Sequence, residues 1–447
     1  MPHADVVVVG AGLSGLTAAI ALADAGAAVE VVARGHAATH WTAGGFDVAA
    51  PDGASTPADG VRLLAARARP RHPYARLRDD VADSLAAIRS VLASEGLEYL
   101  GELHDPLRAV PTSIGGTRQA AILPTGQAAA LVPWAPGERL VVCGVAGFKD
   151  FWPEAMSTSL RRPEIWGAER AVDARSSRID AVVVELPDQS GRHNLNALEL
   201  ARRFDDPAWR SEALGRIADA IARSGRPGAG RIAFPAVLGL NDHAAVLDEA
   251  RRILPMPIFE VPLLPPSIPG LRLYHALRSA LRRRGGRLVI GEPVASVIVE
   301  RRRVTAVAMS AAIRERLIRT DALVLATGGI AGGGLIGEPD GRLVEPLLRL
   351  PVESAPAADW LSVDPFDRAG HPLEAAGIRT DAELRPLDAG GKVVLENVAI
   401  VGSLLAGQRY LVERCGDGVA IASGRRAAAV LSRSAAAAAP AKARVPA

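Results

Sequence analysis

The N-terminal part of the chain has a pattern of apolar residues that changes period along its length. Four valines at residues 6–9 form an uncharged β-branched run, and Leu13, Leu16 and Ile20 then recur with the spacing of one helical face. A second apolar run, AAVEVVA, follows directly after Gly26. The pattern predicts a buried strand, a helix that ends near Gly26 and a second strand, which together form a β-α-β unit.

Three glycines with the spacing G-x-G-x-x-G separate the first strand from the helix. In such a turn Gly10 permits the tight bend, Gly12 lets the backbone approach a pyrophosphate, and Gly15 lets the helix pack on the sheet. Leu13 and Ser14 begin the helix, whose N-terminus favours a bound phosphate. An uncharged stretch of this length is also compatible with a membrane span or a signal peptide. The strand–glycine–helix order, in a chain that opens MPHAD without a basic region, favours a dinucleotide-binding fold.

The second strand departs from the usual fingerprint where it ends. An Asp or Glu normally stands there and binds the ribose hydroxyls, but the chain continues from Ala33 to Arg34 and Gly35. A cation at this place can meet a phosphate, so we predict that Arg34 and Gly35 contribute to the cofactor site. The identity of the nucleotide stays open on this pattern alone.

Later segments have the pattern of further elements of the same domain. Residues 285–310 read as strands with a hairpin tip at Arg301, Arg302 and Arg303, and two buried strands at 322–326 and 398–401 each run into glycine. A helix is predicted at 419–431. We therefore predict a Rossmann-type FAD/NAD(P)-binding domain, assembled from residues 1–70, 265–345 and 385–431.

The intervening residues have an alternation of their own. Strand-like runs and helical patterns follow one another at residues 139–148, 152–161, 179–187, 231–237, 242–253 and 257–264. They predict an inserted second α/β domain, residues 71–264 plus 346–384, that closes over the cofactor. The proline-rich residues 261–270 read as a linker, and the Ala-rich residues 432–447 as a disordered tail. This is the α/β organisation of flavoproteins of the glutathione-reductase or fumarate-reductase type.

Composition narrows the function classes. The chain of 447 residues is 49% hydrophobic, carries a formal net charge of only +3, and has 4% aromatic residues, so nucleic-acid binding has little support. Cys143 and Cys415 are its only cysteines, which excludes four thiolate ligands for an iron–sulfur cluster from this chain and fits a reducing cytoplasm.

Small residues at four places are the candidate flavin-binding positions. After the second strand the chain needs small residues where the backbone approaches the flavin ring, and two further strand ends and one helix start carry glycine. The candidates are Thr42, Ala43, Gly44, Gly45, Ala326, Thr327, Gly328, Gly402, Ser403, Gly416, Gly418 and Val419. Backbone amides at residues 416–418 are predicted to face the flavin's pyrimidine oxygen, which would stabilise the anionic reduced form. His40 invites comparison with the covalent flavin link of succinate dehydrogenase flavoproteins, but the linked histidine there stands farther ahead of the glycine pair than His40 does, so we expect non-covalent binding.

Several motifs carry a specific family resemblance. The HWTAGGFDV loop, HPY at residues 72–74, LPPSIPGLRL at 264–273, ATGGIAGGGL at 326–335, and ENVAIVGS with CGDGV near the C-terminus resemble the family of anaerobic glycerol-3-phosphate dehydrogenase B subunits over nearly the whole chain. The resemblance implies a flavoprotein paired with a second flavoprotein subunit (A), and tied to the inner face of the membrane and its quinone pool by an iron–sulfur subunit (C). It implies FMN as cofactor, whereas the glycine turn favours FAD.

Oxidation of glycerol 3-phosphate needs a base for the C2 hydroxyl and cations for the phosphate. His72, His243 and His371 are candidates for the base because imidazole titrates near neutrality. Arginines in or near the resemblance motifs are candidates for the phosphate: Arg118, Arg272, Arg385 and Arg414. We give preference to His371, His72, Arg414 and Arg272.

Alternative functions stay open on the sequence. The chain either oxidises substrate itself, or serves as an electron-transfer and assembly flavoprotein whose sister subunit performs the dehydrogenation. A fumarate-reductase-like oxidoreductase of another substrate and a non-enzymatic nucleotide-binding regulator are further alternatives.

Overall fold

The computed structural model of the protein describes residues 2–67, 71–135, 137–162, 178–189, 191–225, 230–310 and 315–438. Its strands, in chain order, are β1 His3–Val9, β2 Val29–Ala33, β3 Tyr99–Leu100, β4 Arg108–Pro111, β5 Thr117–Ala120, β6 Leu123–Pro124, β7 Arg139–Val145, β8 Arg178–Val184, β9 Gly230–Pro235, β10 Ile258–Val261, β11 Arg287–Ile290, β12 Val294–Glu300, β13 Arg303–Ser310, β14 Glu315–Leu325, β15 Ile336–Gly337, β16 Leu343–Val344, β17 Val352–Glu353, β18 Gly377–Ile378 and β19 Val398–Ile400. Its α-helices are α1 Leu13–Asp24, α2 Pro57–Ala65, α3 Tyr74–Leu77, α4 Val81–Ala93, α5 Pro153–Leu160, α6 Ala197–Phe204, α7 Pro207–Arg223, α8 His243–Ile253, α9 Ile268–Arg283, α10 Tyr410–Glu413 and α11 Gly416–Ala438.

The first sheet has the order β11-β2-β1-β14-β13-β12, with β19 also paired to β14. Strands β11, β2, β1, β14 and β19 run parallel, and β12 and β13 form an antiparallel hairpin on the first half of β14. The valines of β1 are buried because a strand between two parallel neighbours is covered on both faces. The predicted Rossmann-type domain is confirmed, with its hairpin tip at Arg301 and Arg302, both in the left-handed region.

The first and the last helix cross at a pair of small residues. A Cβ placed on Gly424 of α11 would lie 2.6 Å from the backbone oxygen of Ser14 in α1. Gly15 is equally restricted, since a Cβ there would overlap the backbone oxygen of Gly10. Glycine at both places lets α11 and the turn between β1 and α1 approach α1 at backbone distance.

The second sheet is wholly parallel, with the order β10-β9-β7-β8. Helices α5, α6, α7 and α8 lie between its strands in the sequence, as parallel connections require. Its core is apolar and close-packed, with Leu140, Phe204, Phe234 and Leu214 fully buried. The predicted second α/β layer is therefore present, and it is doubly wound.

The boundary of the second unit differs from the predicted one at residue 71. Helix α4 presents Leu85, Ile88 and Leu92 to the core of the first sheet, and Tyr74 is buried there as well. Ile378, assigned from the sequence to the inserted domain, also packs in this first core. Local alternation marks where a helix lies but not which of two sheets its apolar face covers.

Two helix ends also differ from the sequence expectation. Helix α9 begins at Ile268, inside the predicted linker, because the Ser267 hydroxyl accepts from the amide of Gly270 and Pro269 suits a first helical turn. Helix α11 continues to Ala438, past the predicted start of the tail at residue 432, through alanines of high helix propensity. The remainder of the predicted disordered tail, residues 439–447, lies outside the described residues.

The same substitution in two helices should have opposite effects on stability. Gly424→Ala forces a methyl group against Ser14, and overpacking of this kind costs roughly 1–3 kcal/mol. Gly215→Ala in α7 meets no atom within 4 Å, and should stabilise by up to about 1 kcal/mol through helix propensity. Urea unfolding measures both free energies; equal effects would contradict the close crossing of α1 and α11.

Candidate functional site

The turn between β1 and α1 leads into a helix start that consists mainly of small residues. Gly10 has φ +115°, and a Cβ on it would overlap the backbone oxygen of Ala326 at the end of β14. Among the described residues no side chain caps α1, whose N-cap is Gly12. A Cβ on Gly12 would meet nothing closer than Ala37, at 3.5 Å. Amides of a buried, uncapped helix start beside such room fit the pyrophosphate of a dinucleotide.

The structure brings two other predicted segments to this turn. Gly402 has φ +69° and packs against Ser14, with the Ser14 hydroxyl 2.5 Å from where a Cβ would stand. The Ser403 hydroxyl accepts from the amide of Gly329 at 2.9 Å, which joins the residues after β19 to those after β14. The fingerprint glycines, residues 326–328 and residues 402–403 therefore meet at the carboxyl edge of the parallel strands. Arg34 and Gly35 lie exposed just beyond the end of β2.

The glycine loop after β2 is held between both units. The Gln127 amide donates to the backbone oxygen of Ala43 at 2.7 Å, and the Tyr99 hydroxyl donates to that of Gly44 at 2.7 Å. Ser267 fixes Thr42 by donating to its backbone oxygen at 2.6 Å. A Cβ on Gly45 would lie 2.5 Å from Leu123. The small residues predicted here are required by close packing of the protein on at least one side of the loop.

His40 lies in the same segment, packed against two other rings. Its ring stands edge-on to Tyr274, with centroids 4.3 Å apart, and is stacked obliquely on His36 at 4.4 Å. Burial, followed by the neighbouring His36 and His275, lowers the pKa of His40 to about 4, so the imidazole is neutral.

The start of α11 forms a cluster of hydrogen bonds with Asp47, at the end of the glycine loop. The amides of Asp417 and Gly418 both donate to the backbone oxygen of Asp47 at 3.2 Å, and the Asp47 amide donates to the Asp417 carboxylate at 3.0 Å. Two of the three amides that were predicted to donate to a flavin oxygen therefore donate to the protein itself. The prediction for residues 416–418 is corrected accordingly. Sequence could not show this, because Asp47 lies 370 residues before Asp417.

Asp47, Asp417 and Arg118 lie together at this cluster of hydrogen bonds. Burial, followed by the negative charge of Asp47, raises the pKa of Asp417 to about 7. Arg118 donates from Nη1 to Asp47 at 3.1 Å, and its Nη2 is buried without a hydrogen-bond partner among the described residues. Sequence reasoning did not select the two aspartates, although each lies in or directly after a glycine-rich stretch that it did select.

Arg272 and His243, by contrast, are committed to one buried network. Arg272 donates twice to Glu260, at 2.6 and 2.9 Å, and once to the backbone oxygen of Gly239. His243 Nδ1 donates to the backbone oxygen of Leu238 at 2.6 Å, and burial and Arg272 lower its pKa to about 4. The preference for Arg272 as a phosphate ligand is therefore corrected: its guanidinium neutralises a buried carboxylate.

His72 is enclosed as well. Its Nδ1 accepts from the amide of Tyr74 at 3.0 Å, its Nε2 faces Glu413 at 3.4 Å, and burial lowers its pKa. Burial acts to raise the pKa of Glu413, but the contact with His72 and donors from Arg409 and Arg67 outweigh it and bring the value to about 2. A wholly buried ring between two backbone segments has no path to a substrate, so His72 as general base is also corrected.

The other predicted residues lie at the surface of the chain or at its turns. His371 lies in a surface loop, where its Nδ1 accepts from the Ser362 amide at 3.0 Å. Arg385 is paired with Asp381 and Glu383. Arg414 stands in the left-handed region directly before α11, and its Nη1 donates to the backbone oxygen of Gln119. Arg414 and Arg118 are thus the two predicted arginines beside the start of α11.

Comparison with known proteins adds three findings. Residues 5–419 match the family described as FAD binding domain. The chain is 32% identical over 432 residues to the B subunit of anaerobic glycerol-3-phosphate dehydrogenase from Yersinia pestis bv. Antiqua, covering 94% of this chain and 96% of that one. It is 28% identical to the protein of the same name from Vibrio cholerae serotype O1, covering 95% of both chains.

Solved structures show weaker likenesses. One is 3-ketosteroid delta1-dehydrogenase from Sterolibacterium denitrificans, with 13% identity, a TM-score of 0.44 and coverage of 97% of this chain and 100% of that chain. Another is a flavocytochrome c3 fumarate reductase in an open conformation, with 12% identity, a TM-score of 0.44 and coverage of 97% and 78%. Among the described helices, none is both long enough and apolar enough to cross a bilayer.

Two glycines of the fingerprint should separate cofactor binding from folding. Gly12→Val places its side chain where the protein leaves room, so we expect a folded chain that loses bound flavin. Gly15→Val overlaps the backbone of Gly10 and should prevent folding. Visible flavin absorption per chain and far-UV circular dichroism distinguish the two; full flavin content in Gly12→Val would contradict the phosphate turn.

The carboxyl pair should leave a signature in the pH dependence of stability. Because the pKa of Asp417 lies above its usual 3.8, the folded chain binds this proton more tightly than the unfolded chain. The contribution of Asp417 to the free energy of unfolding of the flavin-free chain should therefore fall as the pH rises from about 4 to about 7, while the lowered pKa values of His40 and His243 act in the opposite direction. Asp417→Asn should remove this falling contribution, so that the free energy of unfolding rises more steeply with pH than in the unmodified chain, while Asp219→Asn on the exposed face of α7 should leave the pH dependence unchanged. Equal slopes in all three proteins would contradict the raised pKa of Asp417.

Proposed function

This chain belongs to the FAD-binding-domain family and to the family of anaerobic glycerol-3-phosphate dehydrogenase B subunits, and on that premise we propose that it oxidises sn-glycerol 3-phosphate to dihydroxyacetone phosphate. It is a flavin oxidoreductase that binds FAD non-covalently, as the glycine turn predicts and in place of the FMN implied by the resemblance. The observation that carries the proposal is the glycine-capped start of α1, met by residues 326–328 and 402–403 in a chain that matches its relatives over 94% of its length.

FAD, when bound, supplies the acceptor for the hydride that leaves C2 of the substrate. The chain's own part is to hold the cofactor and to orient the substrate. The amides at the start of α1 would hold the pyrophosphate, and the segments around Gly328 and Ser403 would flank it. The loop of residues 42–45 is fixed from the protein side by Gln127 and Tyr99, so it offers a rigid edge to the cofactor.

We assign the substrate's phosphate to Arg118 and Arg414. Arg118 is largely buried, and one of its two terminal nitrogens is engaged by Asp47 while the other has no partner among the described residues. A guanidinium with one nitrogen directed at a fixed carboxylate is oriented for an oxyanion on its other side. Arg414 reaches the same strand, β5, from the start of α11.

We assign the proton of the C2 hydroxyl to the Asp47–Asp417 pair. A general base works best when its pKa lies near the working pH, and Asp417 titrates near neutrality for the reasons given above. When its carboxylate is ionised, Asp417 can accept this proton, and the negative charge of Asp47 favours the neutral carboxyl that results. His371 stays a prediction for this role.

Electrons must leave the chain through a partner. Cys143 and Cys415 are both buried in separate cores, and they are the only thiols in the sequence. We propose that the chain assembles with a second flavoprotein subunit (A) and with an iron–sulfur subunit (C) that links it to the quinone pool at the inner face of the membrane. The relatives' own designation as B subunits supports a multi-subunit assembly.

The alternative is an electron-transfer and assembly flavoprotein whose sister subunit dehydrogenates the substrate. One observation favours it: three of the predicted substrate residues, His72, His243 and Arg272, are enclosed within the protein. A fumarate-reductase-like oxidoreductase acting on another substrate differs only in the ligand that Arg118 and Arg414 would receive.

Substrate-dependent bleaching of the bound flavin tests the proposal. The purified chain, kept anaerobic and without other subunits, should lose its visible flavin absorption when glycerol 3-phosphate is added. Arg118→Ala should raise the concentration needed for half-maximal bleaching at least tenfold, because a charge-assisted contact to phosphate is worth on the order of 1.5–3 kcal/mol. Arg385→Ala, which removes a surface ion pair, is the matched control.

The outcomes separate the candidate functions. Bleaching that requires the sister subunit would replace the proposal with the electron-transfer alternative. Bleaching by a phosphate-free hydroxy acid, but not by glycerol 3-phosphate, would favour the oxidoreductase of another substrate.

A further inference from the structure

Residues 360–371, which we call the 360–371 loop, are closed by their own hydrogen bonds. The Ser362 amide donates to His371 Nδ1 at 3.0 Å, and the Ser362 hydroxyl donates to the backbone oxygen of Gly370 at 3.1 Å. Just outside the loop, the Leu373 amide donates to the backbone oxygen of Trp360 at 3.0 Å. The two ends are thereby held together, so the side chains between them have a fixed platform.

This platform presents apolar side chains to solvent. Phe366 is 90% exposed, whereas the other six of the seven phenylalanines are at most 4% exposed. Val363 is fully exposed and Leu361 largely so. Burying one such side chain stabilises by roughly 1.5–3 kcal/mol, so a braced loop that holds three of them in water is typical of a protein-binding surface.

The loop is anchored next to the start of α11. Arg409 donates from Nη1 to the backbone oxygen of Ala369 at 2.6 Å, and Gly370 packs against Val412 of α10. Helix α10 carries a further exposed apolar side chain, Leu411, and leads through Arg414 into α11. The loop therefore shares a short helix with the residues assigned above to substrate and cofactor.

The charges of the loop select among possible partners. Asp364 and Asp367 lie in the loop and Asp359 directly precedes it, against Arg368 in the loop and Arg409 bound to its backbone. The amide of Ala369 lowers the pKa of Asp367, so this carboxylate is ionised at neutral pH. Anionic lipid headgroups would repel such a rim. A protein surface with an apolar pocket bordered by Lys and Arg is complementary to it.

We propose that the 360–371 loop docks this chain onto its electron-accepting partner subunit, with Phe366 and Val363 inserted into an apolar pocket that has a basic rim. The inference rests on the proposed function, in which electrons leave through another subunit. Buried aromatic anchors at the centre of an interface carry most of its binding free energy, so Phe366 should dominate the contact.

Binding of the holo chain to the co-expressed flavoprotein (A) and iron–sulfur (C) subunits from its own source tests the proposal. Affinity is measured by biolayer interferometry on the immobilised chain. Phe366→Asp should weaken binding at least tenfold, and Phe366→Leu should retain most of it. Asp359→Lys should weaken binding severalfold, and the difference should shrink at high salt. Leu264→Asp, at an exposed apolar residue outside the loop, is the matched control.

Each outcome supports or overturns the docking surface. In all variants flavin content and substrate-dependent bleaching should equal those of the unmodified chain. Unchanged binding of Phe366→Asp, or equal weakening by Leu264→Asp, would overturn the docking proposal. The proposed function would still stand in that case if glycerol 3-phosphate bleaches the flavin of the unmodified chain. If the unmodified chain binds neither of the other subunits, the proposed multi-subunit assembly is wrong, and the docking surface is overturned with it. Phe366-dependent flotation with vesicles of phosphatidylcholine and phosphatidylglycerol, or Phe366-dependent self-association, would overturn it in favour of a membrane or a second copy.

Discussion

The start of α1, where a glycine occupies the capping position, is the constraint on which the architecture depends. A buried helix start that offers main-chain donors needs an acceptor, and an anion meets that need best. Three glycines let the neighbouring segments pack closely around it. Gly10 lets the turn pass beneath the end of β14, Gly402 keeps the residues after β19 clear of Ser14, and Gly424 lets α11 lie against α1. The parallel strands serve mainly to bring these turns to one edge.

The two apolar cores are separate, and polar contacts fasten the second unit to this edge. Gln127 bonds to the main chain of the glycine loop, and Arg272 of α9 bonds to Glu260 and to the backbone oxygen of Gly239. Buried hydrogen bonds of this kind are strongly directional, and a donor left without its acceptor in a protein interior is costly. They fix the position of the loop relative to the second sheet more tightly than apolar packing would.

Sequence patterns predicted the elements better than their assembly. Apolar runs before glycine identified β1, β14 and β19, and helical spacing identified α5 and α8, because these signals are local. The pattern did not show that α4 packs on the first sheet, since an amphipathic face is compatible with either core.

For the candidate site, the glycine segments around Gly12, Gly328 and Gly402 were predicted to contribute to one site, and the structure brings them together. Asp47 and Asp417 were missed because the raised pKa of Asp417 depends on their proximity in the fold. His72 was wrongly preferred as a base because the residues next to it in the sequence do not show that its side chain is buried.

The crossing of α1 and α11 has a consequence for biosynthesis. The valine-rich strands emerge from the ribosome first, yet the helix that covers α1 and the turn that flanks its start are encoded near the other end of the gene. Until residues 315–325 have been translated, β1 lacks its neighbour β14, and until residues 398–424 follow, β14 lacks β19 and α1 lacks the helix above it, so apolar surface stays uncovered for most of synthesis. Nascent chains of this protein should therefore depend on chaperones until late in translation, and the cofactor can enter only once the polypeptide is nearly finished.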